Sequence, residues 1–394
     1  MITDFVFNSQ SVTAGHPDRM CDIVSDAIID AFLRQDPTSR ITAECALSRN
    51  ILFLAARYAS DAVVDIPETA RKVITQIGYW PEDFNAAECT VVTSLIEQQK
   101  SLRETDFTAL ESDEIDRITV SHQCSVFGFA CNHTTDLMPL PISLANALAR
   151  QLQSVWDMLD YISPDCTTQV GVEFIDGKPK RIHSLTLIIG CDKPEQTPTQ
   201  MRMEEDLRHH VIAPVFKDAP LQPDQLTKIV INPSGPFVRS GPAAHSGMTG
   251  RKTDSDTYGS FARHSGSALS GKSPSRIDRV GVYAARHAAK NIVAAGLAEQ
   301  CEVQLSYSIG HAGPVSILLN TYGTGKLDDH EIRRRLLRNF DFRLGAIVRD
   351  FNLRQLPAKH KGVFYQQLPA IGHFGEHGLA LPWEQTDKAA LLSV

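Results

Sequence analysis

The sequence predicts an α+β protein of three similar lobes, with sheets packed inside and helices outside. Three observations carry that prediction. A helix–hairpin–helix order recurs three times along the 394 residues. Each hairpin alternates apolar and polar residues, so it has an apolar face that only a second layer can bury. The chain is 42% hydrophobic and 22% charged, enough to fill such a core and still present a wettable surface.

In the first unit, Met20, Ile23, Val24, Ala27, Ile28 and Phe32 form one helical stripe within residues 19–33. Strand-like runs at 41–47 and 51–56 follow, joined near Arg49 and Asn50. Pro67 opens the second helix and Gly78 closes it, the usual asymmetry of helix ends. In the second unit, the spacing predicts a helix over 142–159 and strands over 168–175 and 182–189. Asp176-Gly177 supplies the hairpin turn, and 200–215 reads as the closing helix. The third unit begins with the alanine-rich helix 279–295, ended by Gly296. Val303, Leu305, Tyr307 and Ile309 then alternate as a strand, 315–321 pairs with it, and 328–340 is helical. A unit repeated in this way predicts lobes at 1–101, 115–234 and 235–394. The polar link 97–119 and the glycine- and proline-rich link 232–273 are long enough to be functional, so the sites are expected there.

Several function classes are disfavoured. A net charge of −7 and a pI near 6.1 argue against a nucleic-acid partner held by the overall field. The eight cysteines are scattered without a C-x-x-C pair, which predicts free thiols in a reducing compartment. No basic-then-apolar leader and no apolar run of about 20 residues are present, so a cytoplasmic protein without a membrane partner is expected.

The chemistry is concentrated in three loops. Residues 265–279, SGSALSGKSPSRIDR, combine close-approach glycines with Lys272, Arg276 and Arg279. Positions 266–273 match the phosphate-loop pattern G-x-x-x-x-G-K-[ST] letter for letter. Their context does not: residues 257–264 are no hydrophobic strand, and Pro274 stops a helix from running through Lys272. The stretch reads instead as a polyphosphate loop of another design. In the second loop, GHPDR at 15–19, Asp18 could cap a helix or hold a metal, and His16 could meet a phosphate. The third loop, 237–252, offers Arg251 and Lys252 as adjacent cations and Phe237 as a stacking face. Singly these are a cap and a solvated basic turn; together they point to one anionic ligand.

From end to end the chain resembles S-adenosylmethionine synthetases (methionine adenosyltransferases). The resemblance rests on GHPD at 15–18, SDAIIDAFLRQDP at 25–37, VDIPETARKVITQIGY at 64–79, INPSGPFV at 231–238 and TGRK at 249–252. DTYG at 256–259, SGK at 270–272, YAARHAAKNIVAAGLA at 283–298, GHFG at 372–375 and PWEQTD at 382–387 extend it. The resemblance implies a three-lobed fold and a two-step reaction. Methionine sulfur attacks C5′ of ATP and expels tripolyphosphate whole, which is then hydrolysed, with magnesium balancing charge and a potassium ion assisting. It also implies a tight homodimer, often paired into a homotetramer, with the active site between subunits. By the same resemblance His16, Lys272 and Arg251 are the catalytic candidates. His16, Phe237, Arg251, Lys252, Lys272 and Arg276 would contact the nucleotide, Asp18 would hold magnesium, and Glu44 would sit at the potassium site.

The departures from the family cluster in one functional region. The GAGDQG motif is here TVSHQC at 119–124, so His122 replaces its aspartate. His245 replaces the aspartate before TGRK, and Arg57 replaces a glutamate after the first hairpin strand. Ser273 replaces the aspartate after SGK, Arg276 a lysine, and Thr167 another lysine. Negative charge is lost where the family surrounds the methionine ammonium, so the pocket should disfavour it and accept a neutral or anionic partner better. Three readings follow: an enzyme using ATP or a related nucleotide with an acceptor other than methionine, an active methionine adenosyltransferase, and a catalytically weak paralogue that regulates an active subunit.

Overall fold

The computed structural model describes residues 4–191, 193, 195–236, 238–376 and 378–393. The chain opens with β1 (Phe5–Val12), α1 (Pro17–Gln35), the hairpin β2 (Arg40–Ser48) and β3 (Ile51–Ala59), α2 (Ile66–Ile77) and β4 (Thr90–Glu97). After a single turn, α3 (Ser112–Ile115), come β5 (Cys124–Cys131), α4 (Leu140–Ser154) and the hairpin β6 (Cys166–Ile175) and β7 (Lys178–Ile189). There follow α5 (Gln200–Leu207), a π turn at Arg208–Ile212, α6 (Ala213–Phe216) and β8 (Lys228–Ile231). The remainder holds β9 (Gly247–Met248), α7 (Thr253–Asp256), α8 (Ile277–Ala294), β10 (Gln300–Tyr307) and β11 (Ser316–Asn320). Helices α9 (Asp329–Asn339), α10 (Leu344–Asp350), α11 (Leu356–Lys359) and α12 (Ala389–Leu392) complete it. No described helix is long and apolar enough to cross a membrane.

The predicted α+β fold of three sheet-and-helix lobes is what forms, and each predicted hairpin is there. Asp176 and Gly177 both take positive φ, 50° and 71°, as a two-residue turn matched to strand twist requires. The sheets also contain strands with a less regular sequence signal. Their orders are β4-β3-β2-β9, β1-β6-β7-β8 and β11-β10-β5. The strand before each long helix joins the sheet of the next unit: β1 pairs with β6, β5 with β10, and β9 with β2. The exchange closes a ring, with the last unit completing the first. Two further strands, β4 and β8, run parallel to β3 and β7 after helical crossovers. β4 is exposed at nearly every position and β8 is four residues long, so neither shows the alternation by which a strand is read.

Helix α4 also differs from its expected span, stopping at Ser154. Val155, Leu159 and Ile162 stay buried through successive turns, so apolar spacing persists after the helix has ended. α1 and α8 are buried on nearly all sides within one core, and α4 with β6 and β7 anchors a second. Gly128 of β5 shows how close the layers come. A Cβ there would lie 1.9 Å from the Ala285 carbonyl carbon of α8. Gly128→Ala is therefore expected to destabilise the protein by about 1–3 kcal/mol, through backbone displacement. A lowered urea midpoint with unchanged slope is the readout, and an unshifted midpoint contradicts this packing.

Candidate active site

The first side-chain cluster is built on the N-terminus of α1. Pro17 occupies the first turn, where its missing N–H costs nothing, and His16 is the cap. The His16 Nδ1 accepts from the Asp18 N–H at 3.2 Å, so the cap is the imidazole and the Asp18 carboxylate stays available. Asp18 Oδ1 accepts from the Met248 N–H at 3.0 Å, and Oδ2 lies 2.8 Å from Lys252 Nζ. Arg251 Nη1 stands 3.6 Å from Oδ1. Burial opposes ionisation of Asp18, but the Lys252 ammonium and the Met248 amide outweigh it and hold its pKa below the usual carboxylate value. Burial drives the pKa of His16 down to about 4 against the pull of Asp165, so this ring is neutral at ordinary pH.

Asp165, just before β6, adds a carboxylate that the sequence reading did not single out. Its Oδ2 accepts from the Gly241 N–H at 2.8 Å and meets His245 Nε2 at 2.8 Å. The Asp165 hydrogen bond pulls the pKa of His245 above the usual 6.5. Its ring centroid lies 4.9 Å from that of His16. His16, Asp165 and His245 each place a ligand atom within 4.8 Å of the other two, the one such group among the described residues.

The second cluster lies at the start of α8. Residues 271–273 run antiparallel beside β2: Ala43 N–H donates to Gly271 O at 2.8 Å, and Ser273 N–H donates to Ile41 O at 3.0 Å. Gly271 needs its identity there, with φ 74° and a would-be Cβ 2.0 Å from the Ala43 oxygen. Lys272 Nζ contacts Asp278 Oδ2, and Asp278 Oδ1 lies 3.2 Å from His122 Nε2 and 3.8 Å from Arg276 Nε. Burial opposes the charge on Asp278, yet His122 and Lys272 together hold its carboxyl far below the ordinary range. In the sequence Asp278 reads as a first-turn helix carboxylate, which is why its position beside Lys272 is not evident there.

Other expected residues lie elsewhere. Arg279 is buried and paired with Asp26 at 2.8 and 3.0 Å, a structural ion pair. The Ser273 hydroxyl faces inward, 3.2 Å from Ser275 Oγ and 3.3 Å from Arg354 Nη1. Thr167 is in β6, two residues beyond Asp165. Phe237 lies outside the described residues. Arg57 is exposed on β3 opposite Thr42, which bridges Lys272 on its other side, so one cross-strand row joins Arg57 to the second cluster. Glu44 is exposed on the same face of β2.

The two clusters border one surface. Four residues beyond Thr42 along β2, Ala46 pairs with Met248, whose N–H is held by Asp18. The rows are thus about 13 Å apart along the strand. Between and beside them Ile51, Phe53, Val92, Ile96 and Met248 leave an open apolar sheet face. No hydrogen bond or ion pair among the described residues joins the clusters.

Helix α1 fixes both loops. Asp18, Asp22, Asp26 and Asp30 recur every four residues, and all are buried. Asp22 Oδ1 accepts the Gly250 N–H at 2.7 Å, Asp26 Oδ1 the Gly271 N–H at 2.9 Å, and Asp30 the N–H groups of Phe364, Tyr365 and Gln366 at 2.9 to 3.0 Å.

Three family models cover this architecture. The S-adenosylmethionine synthetase N-terminal domain matches residues 4–100, the central domain 117–237 and the C-terminal domain 239–385. The chain belongs to the S-adenosylmethionine synthetase family. Among its relatives, the S-adenosylmethionine synthase of Synechococcus elongatus is 45% identical over 408 residues, spanning 100% of this chain and 98% of the relative. That of Trichormus variabilis is 46% identical over 404 residues, spanning 98% and 96%. In this S-adenosylmethionine synthetase family member His122 lies 3.2 Å from Asp278 and His245 2.8 Å from Asp165.

The buried imidazole gives a pH signature. His16 titrates at about 4 in the fold and near 6.5 when unfolded, so the unfolded chain takes up the proton first. Its effect is absent above pH 6.5 and costs up to about 3 kcal/mol as pH falls through 6.5 toward 4. His245, raised, contributes the other way, with stability present below pH 6.5 and lost as pH rises through its folded value. Urea unfolding from pH 7 to 4.5 should show a fall that His16→Gln flattens. Parallel curves for the two proteins would contradict the assignment.

Proposed function

We propose that this protein is an ATP-using adenosyltransferase of the S-adenosylmethionine synthetase type, dimeric, with an acceptor pocket altered from the one that takes methionine. The observation that carries this is the pair of cation-and-carboxylate clusters flanking one open apolar sheet face. Each alone is half a polyphosphate site. A two-fold pairing of these faces sets the Thr42 end of β2 in one copy against the Ala46 end in the other, bringing unlike clusters together.

In the proposed reaction the acceptor atom attacks C5′ of ATP, the bond from C5′ to the triphosphate oxygen breaks, and tripolyphosphate leaves whole. Arg251, Lys252, Lys272 and Arg276 hold its oxygens, and the neutral His16 offers a hydrogen bond near the reacting centre. Preplaced charge of this kind stabilises a leaving group without reorganisation. Asp18 and Asp278 are buried hard-oxygen donors beside these cations, and one oxygen of Asp278 has no hydrogen-bond partner, so they fit magnesium held partly by substrate phosphate. When bound, magnesium neutralises phosphate charge. Without phosphate, the same carboxylates station Lys252 and Lys272 where the anion arrives. Glu44, exposed on β2, offers one carboxylate toward a potassium ion on the same sheet face.

The altered acceptor rests on charge. His122 and His245 sit against carboxylates that would otherwise present free negative charge, and Arg57 adds a cation to the Thr42 row. An opposite charge at 4 Å near a protein surface is worth about 4 kcal/mol. A methionine ammonium loses that attraction, while a neutral or anionic acceptor does not need it. A second reading, methionine itself as acceptor, draws on the 45–46% identity to relatives named S-adenosylmethionine synthase. The third, a regulatory paralogue, is disfavoured by the retained Arg251, Lys252 and Lys272.

Incubation with ATP, magnesium and potassium, with and without methionine, separates these readings when products are followed by mass spectrometry. ATP binding without efficient S-adenosylmethionine formation is expected; rapid S-adenosylmethionine formation overturns the altered-acceptor reading, and absence of ATP binding overturns both enzyme readings. Lys272→Met should lower kcat by about 10²–10³-fold, as loss of one preorganised donor does. Phe53→Asp should halve the mass measured by light scattering and abolish transfer; an active monomer contradicts the shared site.

A further inference from the structure

Beyond the phosphate-holding cations, we infer that His16, Asp165 and His245 form a binding site for a transition-metal dication such as zinc. This inference stands apart from the adenosyl-transfer reading. The donor set is two imidazoles and one carboxylate, which favours zinc, cobalt or nickel over magnesium, an ion that prefers oxygen alone. Tetrahedral zinc with bonds of about 2.0–2.2 Å spaces its ligand atoms by about 3.4 Å. Here one edge of the triangle is already 2.8 Å, between His245 Nε2 and Asp165 Oδ2, and the other two are within 4.8 Å. Rotation of the half-exposed His245 adjusts its two edges and gives the ion an entry path, and rotation of the Asp165 carboxylate adjusts the edge to His16.

The three ligands come from different loops, and each is tied down. His16 is fixed at the α1 cap. Gly241 links the other two, donating its N–H to Asp165 at 2.8 Å and accepting the His245 N–H at 3.1 Å. Metal bound at His16 Nε2 takes the Nδ1–H tautomer, which exchanges the cap bond from the Asp18 N–H for donation toward the Asp18 carboxylate, 3.9 Å from Nδ1. Lys252 is the nearest opposing charge and is itself paired with Asp18 at 2.8 Å, while Arg251 is exposed. With His16 neutral, the set carries the Asp165 charge toward the ion, and the proton shared by His245 and Asp165 leaves to solvent when metal binds. A dication here lies beside the phosphate-contacting His16, so it adds a fixed positive charge at that end of the site.

The test is titration of the reduced full-length protein with Co²⁺, and separately with Zn²⁺, in excess Mg²⁺ and without nucleotide. One saturable Co²⁺ per chain is expected, with visible bands of four-coordinate geometry and no thiolate charge-transfer band. His16→Ala and His245→Ala should each weaken binding by more than the roughly 10–100-fold that loss of an outer-shell partner costs. Zn²⁺ should raise the thermal midpoint of the parent protein and leave that of His245→Ala unmoved, the metal-free midpoint of the variant showing that it is folded. Equal affinity in parent and both variants, a thiolate spectrum, displacement by Mg²⁺, or no saturable binding overturns the inference. The mass-spectrometric assay in Mg²⁺ alone is unaffected by either outcome.

Discussion

The structure depends on four carboxylates along one face of α1. A buried charge is expensive unless it is paired or hydrogen-bonded, and each of these finds a different solution. Asp18 takes Lys252 and Asp26 takes Arg279. Asp22 shares the region of Arg19 with Asp256, where burial pushes both carboxyls up, helped by Asp256 beside Asp22 and by Asp254 beside Asp256. Asp30 has three N–H donors and no cation against it, and burial lifts it to about 7. In every case the partner includes the backbone of a distant loop. The helix thereby indexes 248–252 and 271–273 to one rigid rod, and Lys252 and Lys272 inherit their positions from it.

This explains which parts of the site were legible in the sequence. Lys272, Lys252, Arg251, His16 and Asp18 announce themselves by residue type within loops that carry several such groups. Asp165 and Asp278 do not, because their importance comes from what folds against them: a loop from 241–245 in one case and His122 in the other. The apolar stripe of α1 was legible from its period, whereas the aspartate stripe on the same helix reads as a solvated face until the C-terminal segment covers it. Arg279 misleads in the opposite direction, since a cation in a basic loop gives no sign that Asp26 will bury it. The hairpins were legible because each has one covered face. β4 was not, because neither of its faces is well covered in the single chain.

His245 pairs with Asp165 at 2.8 Å, and His122 lies 3.2 Å from an Asp278 oxygen that has no hydrogen-bond partner among the described residues. Lys252 and Lys272 are held from α1 and β2, whereas His122 and His245 stand on loops at 119–124 and 238–246.

The ring of exchanged strands bears on synthesis. The first sheet is completed only by residues 247–248, and β1 must wait for the hairpin at 166–189 before it has a partner. A nascent chain leaving the ribosome therefore holds open sheet edges until most of its length is made.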